Sequence, residues 1–343
     1  MNLERPDLSQ LDAAVRAYIE ALEAEVERLS GSQPKAAAAP PLEPSEPPTT
    51  LNVVTVSRSG LAKRTPRHFY SRQRRGGMGI FDLDSPADDP PAHLLIADEG
   101  QDLILITNEA RVFRFAVEAL PESPVRSRGQ ALTAELELNP GEQPALILAY
   151  PYQGYLVIAT QQGQVRRLRH HFFGPSVTQG SSLYDIKKLG VPIAACWTSG
   201  ENDLFIATRQ GRAIRFAEQQ IPAQGCLGLR LTDDDAIVAV AAVEPDGGVF
   251  LLSADGKGTI RLMSGFSANK APGAGGKAAM RTDQLIGATA VGEADDIFVI
   301  SRLGKIIRFQ AAEVPATEGV VQGVNCMALR ADETTALARS LAP

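Results

Sequence analysis

Three cysteines, one tryptophan and four histidines are spread over 343 residues. Cys196, Cys226 and Cys326 lie far apart without a C-x-x-C spacing, so a disulfide framework is not expected and reduced, buried thiols are. His170-His171 has no second histidine or cysteine cluster that would complete four ligands, so no metal and no cofactor is expected. No run of about eighteen apolar residues occurs, and no basic segment with an apolar core opens the chain. The expectation is a cytoplasmic protein with no membrane partner. A further absence is local. Between Leu51 and Ile80 there is no acidic residue, while Arg58, Lys63, Arg64, Arg67, Arg72, Arg74 and Arg75 all fall there. Such a segment repels itself and attracts polyanions.

The net charge of −6 hides this asymmetry. Residues 1–50 carry four basic residues against nine acidic ones, and the remainder is nearly neutral. A neutral body still binds nucleic acid where its cations are gathered on one surface. Beyond the first basic stretch they gather twice more: Arg166, Arg167, Arg169, Lys187 and Lys188, then Lys257, Arg261, Lys270, Lys277 and Arg281.

The chain divides by composition. In residues 1–30, Asp7 and Gln10 make a capping box, and Leu8, Leu11, Val15, Tyr18, Leu22 and Leu29 form a heptad stripe with Glu25 in the remaining seam position. One helix is predicted, with self-association through residues 7–29, docking on a partner helix, or folding back onto the body all open. Residues 31–50 are alanine- and proline-rich and read as a disordered linker. From residue 51 the pattern repeats. Apolar runs at Leu103–Thr107, Leu156–Thr160, Leu204–Thr208, Phe250–Ser253 and Ile297–Ser301, with Val53–Ser57 as a looser sixth, are mostly followed by a glycine-containing turn. A second strand then carries an arginine at a fixed place: Arg64, Arg114, Arg167, Arg215, Arg261 and Arg308, at intervals of 50, 53, 48, 46 and 47 residues. About four short strands per unit, six times over and without helical periodicity, predict an all-β, six-bladed wheel over residues 51–335, with 336–343 as a tail.

Gln73-Arg74-Arg75-Gly76-Gly77-Met78-Gly79 resembles the glutamine-arginine-arginine-glycine-glycine-lysine-glycine box of the DNA gyrase A protein's C-terminal domain. Gly60–Pro66 resembles the start of the same first blade, and Gly211–Phe216 and Gly304–Phe309 resemble later blades, of a family that includes the topoisomerase IV counterpart. The resemblance implies a β-pinwheel, a propeller variant whose blades exchange strands, with double-stranded DNA wrapped on a basic rim and the box closing the ring between first and last blades. Met78 departs from the family's lysine and removes one phosphate contact. Nothing upstream of Leu51 resembles a breakage-reunion domain, so no strand cleavage and no catalytic tyrosine are expected; Tyr18, Tyr70, Tyr150, Tyr152, Tyr155 and Tyr184 read as seam, rim and packing residues.

The DNA-binding candidates are Lys63, Arg64, Arg67, Arg72, Gln73, Arg74, Arg75, Gly76, Gly77 and Gly79, with Arg166, Arg167, Lys187, Lys188, Lys277 and Arg281 beyond them. The glycines let backbone N–H groups approach phosphate oxygens. The repeated arginines have two readings, DNA contacts or hydrogen-bond anchors for blade loops. Asp233-Asp234-Asp235 and Asp295-Asp296 sit where aspartates start turns. Pro272–Lys277 resembles a degenerate second box and fails the P-loop spacing. The expected function is sequence-tolerant DNA binding, wrapping and bending, as a free-standing nucleoid-associated protein or as a detached component of a gyrase or topoisomerase IV core. A propeller scaffold for protein–protein contacts is the alternative.

Overall fold

The computed structural model describes residues 46–342 apart from 133–135, 152 and 270, together with 12, 15, 16, 18–20, 22 and 23. The chain divides into two units, Met1–Glu43 and Pro44–Pro343. In the first, the described residues from Val15 onward are helical, and Val15, Tyr18 and Leu22 are exposed. The capping box, the rest of the predicted seam and the linker up to residue 45 lie outside the described residues.

The second unit is built from six hairpins: β1 (Leu51–Ser57) with β2 (Leu61–Pro66), β5 (Asp102–Thr107) with β6 (Arg111–Ala116), β9 (Tyr155–Thr160) with β10 (Gln164–Arg169), β13 (Asp203–Thr208) with β14 (Arg212–Ala217), β17 (Gly248–Ser253) with β18 (Lys257–Leu262), and β21 (Asp296–Ser301) with β22 (Lys305–Gln310). The first strand of each hairpin is buried along almost its whole length. A strand covered on both faces is apolar at every position rather than at alternate ones, which accounts for the repeated runs. Inside each hairpin pairs a strand from the end of the same repeat: β4 (Pro91–Asp98), β8 (Pro144–Ala149), β12 (Pro192–Thr198), β16 (Ile237–Val243), β20 (Leu285–Val291) and β25 (Thr334–Ser340). These six inner strands surround a channel of about 630 Å³. The expected six-bladed wheel is therefore present, with one correction: the stretch assigned to a tail is β25, the inner strand of the sixth blade.

The outer strand of each blade belongs to a different repeat. β7 (Gln130–Ala131) pairs with β2, β11 (Ser181–Ser182) with β6, β15 (Cys226–Leu227) with β10, and β19 (Lys277–Ala278) with β14. On the fifth blade β23 (Ala316–Thr317) and β24 (Val324–Asn325) both join β18. The sixth blade receives β3 (Ile80–Phe81) from the first repeat, paired with β22, and this exchange closes the ring. A glycine immediately precedes each of β3, β7, β11, β15, β19 and β24: Gly79, Gly129, Gly180, Gly225, Gly276 and Gly323. Gly79 shows why, since its φ is +70° and a Cβ there would lie 2.6 Å from the Ile306 carbonyl oxygen. Only a residue without a side chain lets the incoming strand bend so close to its host.

Six apolar clusters fill the six junctions between neighbouring blades. The cluster between blades 4 and 5 holds thirteen buried residues, whereas the one between blades 6 and 1 holds eight, so the closing junction needs other means of support.

Candidate nucleic-acid interface

The box is a clasp. The Gln73 N–H donates to the Arg308 carbonyl (2.7 Å), the Gly76 N–H to that of Cys326 (2.7 Å), and the Ala328 N–H returns a bond to Gly77 (2.9 Å). Arg75 donates to the Glu313 carbonyl through Nε (2.7 Å) and to the Asn325 carbonyl through a terminal nitrogen (3.2 Å), and its backbone N–H reaches the Glu313 carboxylate. The backbone bonds fix residues 73–77 across the seam, and β3 follows directly onto the sixth blade.

Beneath the clasp lies Asp82, fully buried, whose carboxylate accepts from Thr55 Oγ1 (2.7 Å), Lys63 Nζ (2.8 Å) and the Tyr70 hydroxyl (2.5 Å). Lys63 Nζ also donates to the carbonyls of Pro124 (3.0 Å) and Val125. Burial holds the Lys63 pKa below its ordinary value despite the opposing charge of Asp82, and burial drives that of Tyr70 well up. A buried charge is tolerated only when it is paired and its remaining protons are satisfied.

The repeated arginines resolve in favour of anchoring. Arg114, Arg215 and Arg308 each grip the aspartate twelve positions earlier, Asp102, Asp203 and Asp296, and each also donates to carbonyls of the 3₁₀ turn in the next blade: Phe173 (2.9 Å), Met263 (2.9 Å) and Tyr70 (2.9 Å). Arg64 does the same with Asn52 and the Leu120 carbonyl, and Arg167 with Glu218 and Gly200. Each thereby bolts its blade to the following one. Arg261 is the exception: Val249 stands where the aspartate would be, one nitrogen reaches Gly265 in its own turn, the guanidinium lies over Phe266, and Nε and one terminal nitrogen have no hydrogen-bond partner among the described residues.

At the closing junction the bolt is reinforced. Glu46 accepts from Arg67 (2.9 Å) and Arg308 (2.7 Å), Arg67 donates to Ser340 (2.7 Å), and Arg72 shares Asp296 with Arg308. Burial pushes the Glu46 pKa up, but bonding to Arg308 and the charges of Arg308 and Arg67 outweigh it and hold the carboxyl below its ordinary value. Arg308 is likewise held above the usual arginine value: burial opposes this, and Glu46 and Asp296 outweigh it. Residues 46–50, assigned to a disordered linker, are thus tied into the ring.

The predicted contact residues separate accordingly. Lys63 and Arg67 are buried and correct the expectation that they meet DNA: they sit on or just after a strand covered on both faces. Arg64, Arg75 and Arg167 are committed to internal acceptors. Tyr70, read as a rim residue, is buried against Phe298. Arg74, Lys187, Lys188, Lys277 and Arg281 are exposed, Arg72 is half-exposed on Asp296, Gln73, Gly76, Gly77 and Gly79 form the clasp backbone, and Arg166 is partly buried. Arg58, from the first basic stretch, is also exposed; Arg126, Arg128, Arg230 and Arg330 are exposed too and were hidden because none belongs to a dense basic run. Their signal was the glycine that introduces an exchanged strand, since Arg128, Arg230 and Arg330 lie within about seven residues of one.

The register puts these cations on one edge. β3, β7, β11, β15, β19 and β24 pair with the first two residues of the hairpin's second strand, next to the hairpin turn. An exposed arginine or lysine lies near every one of them: Arg74, Arg128, Lys187, Arg230, Lys277 and Arg330. Acids nearer the axis at that end are engaged internally, Asp89 by Ser57 and Ser59, Glu142 by Arg111, Asp235 by the Gln210 N–H and Asp332 by the Leu303 N–H. At the opposite end the loops expose Glu99, Glu118, Glu201, Glu244, Asp246 and Glu293, with Arg169 and Arg339 the cations there. Each outer strand on the hairpin-turn side thus has an exposed cation close by in sequence, interspersed with the exposed acids Asp84, Asp185, Asp233, Asp234 and Asp283, whereas the loops of the other face are mainly acidic. Burial, and then the charges of the buried Arg261 and Arg215, lower the Lys277 pKa.

Among the described residues no group of histidines, cysteines and acids is arranged to hold a metal ion, and no helix is long and apolar enough to cross a membrane. Burial pushes the Cys196 and Cys326 thiols up to about 12.

The family model for the DNA gyrase C-terminal domain, beta-propeller, matches residues 51–84, 101–142, 202–244 and 295–336. The DNA gyrase A protein of Mycolicibacterium smegmatis is 28% identical over 305 residues, covering 84% of this chain and 36% of that protein. That of Kosmotoga olearia is 29% identical over 299 residues, covering 83% and 37%. The chain spans a little over a third of the length of these curated relatives. A solved DNA gyrase A C-terminal domain superposes with a TM-score of 0.73 at 22% identity, covering 85% of this chain and all of the other. A solved C-terminal domain of DNA topoisomerase IV superposes with a TM-score of 0.59 at 18% identity, covering 84% and 93%. Both share the fold.

Proposed function

Since the body of this chain is a β-pinwheel of the DNA gyrase A C-terminal family, we propose that it binds double-stranded DNA without sequence preference and wraps it along the outer edge on the hairpin-turn side. The observation that carries this is the exposed cation beside every outer strand, all at one end of the disc. Contacts of this type position a duplex by its phosphates and read no bases, so preference arises only from how easily the duplex bends. The domain corresponds to a non-catalytic part of gyrase A, so on this reading it holds DNA, and any cleavage belongs to a gyrase- or topoisomerase IV-like core that it assists. Its place is on the chromosome in the cytoplasm. Residues 7–29 then serve as the attachment helix, to such a core or to a second copy. Val15, Tyr18 and Leu22, exposed in this unit, favour a partner for that stripe.

The test is a gel shift of the full chain with unspecific duplex across a salt series. With about six phosphates neutralised, log K against log salt has a slope near −5. A salt-independent affinity rejects the proposal. Deleting residues 1–30 abolishes co-purification with the core if that segment is the attachment, and leaves duplex affinity unchanged.

A further inference from the structure

We propose that Phe81, Arg126 and Lys305 form a phosphate seat at the closing seam, which takes over the contact that Met78 gives up. This rests on the DNA-binding reading above and adds two contact residues that no run of charge in the sequence marked.

Phe81 is 48% exposed, an uncommon state for a phenylalanine on a paired strand. It lies on β3 directly opposite Lys305, the first residue of β22. Arg126 arrives from the second repeat: Leu83 bridges Ser127, the Ser127 N–H donates to the Asp82 carbonyl, and the Asp84 N–H donates to Ser127. The ring therefore stands where strands from three repeats meet. The Arg126 guanidinium lies over it at 5.1 Å from the centroid and the Lys305 ammonium at 5.2 Å. Neither side chain makes an ion pair or a side-chain hydrogen bond among the described residues, so the ring is the partner of both.

This arrangement is costly unless an anion completes it. Two positive groups about one ring are within about 10 Å of each other, where like charges near a surface repel measurably. The ring's negative face offsets part of that. A phosphate oxygen reaching both cations offsets the remainder, and a duplex, with a phosphate charge for every 1.7 Å or so of axis, supplies one wherever the edge is tracked. Met78, three residues earlier and 52% exposed, is where the family's box has a lysine. Phe81 therefore concentrates at the seam a positive charge that the box itself lacks. Asp84, an exposed acid, follows Phe81 by three residues.

The experiment uses the full chain and a duplex of unspecific sequence, read as the salt slope of affinity. Arg126→Ala with Lys305→Ala lowers the magnitude of the slope by about 1 or more. Phe81→Leu keeps the apolar bulk on β3 and removes the ring; about fivefold weaker binding at low salt is expected with both cations still present. Asp84→Asn strengthens binding slightly. An unchanged slope in the double variant, with wild type still salt-dependent, overturns the seat and leaves the wrapping edge standing. A salt-independent wild type overturns both. Thermal melting of each variant separates loss of the seat from loss of the clasp: equal melting with a reduced slope supports the seat, and lower melting with an unchanged slope contradicts it.

Discussion

The junction between blades 4 and 5 and the junction between blades 6 and 1 hold the same ring by different means. The first is an apolar seam in which Phe205 and Phe266 meet edge to face at 5.1 Å, crossed by a single bolt, Arg215, held by Asp203 and donating to the Met263 carbonyl. The second has the smallest apolar cluster and two buried polar networks, one around Asp82 and one around Asp296 with Glu46. The difference follows from chain order. Blades 4 and 5 are consecutive in sequence, so no long-range closure is asked of their seam. Blades 6 and 1 are joined only when the first repeat finds the last, and a hydrogen-bonded, charge-paired clasp accepts one register and rejects others, which apolar contact alone does less strictly.

The comparison breaks most visibly at Asp296. Asp296→Ala leaves Arg308, Arg72 and the buried bolt without their shared acceptor, and about 4 kcal/mol of stability is expected to be lost in urea unfolding. Replacing the pair by Arg308→Met with Asp296→Leu recovers most of it, because both buried charges go together. Phe205→Ala at the other junction costs about 3 kcal/mol, and no second substitution of a charged partner relieves it. Gly79→Ala strains a φ of +70° against the Ile306 carbonyl and costs about 2 kcal/mol. Its unfolding should remain a single transition if the clasp and ring melt together.

The smallest effect is on pH. The Glu46 carboxyl is held below its ordinary value of 4.5, so its contribution is present above about pH 4.5 and is lost as pH falls through the lower folded value. Wild type should exceed Glu46→Gln in melting temperature at pH 6, and the gap should narrow as pH falls below 4.5. An unchanged gap assigns the acid response elsewhere.

The sequence disclosed the hairpins plainly, because a strand buried on both faces is written as an unbroken apolar run. The fixed arginine was equally visible, but its role was not: whether it faces solvent depends on a 3₁₀ turn of the next blade, 48 residues on for Arg215 and 238 residues back, in the first repeat, for Arg308. Lys63 looked like a contact because it stands in an acid-free stretch, yet its partner Asp82 lies just beyond that stretch. The exchanged strands were hidden for a different reason. Two paired residues, such as Ile80–Phe81 or Gln130–Ala131, are too short to show a period of two, and only the preceding glycine betrays them. Arg126, Arg230 and Arg330 were missed with them, since isolated cations acquire meaning only when the fold lines them up.

The claim on which the rest depends is that DNA follows the outer edge on the hairpin-turn side of a closed ring. Closed circular DNA relaxed by an added topoisomerase in the presence of the full chain tests it most directly. The account predicts a shift in linking number that is lost when Arg74, Lys187, Lys188 and Lys277 are replaced together by alanine, in a protein that still melts as wild type does. A distribution identical with and without the protein, or one that the fourfold variant shifts as far as wild type, contradicts it.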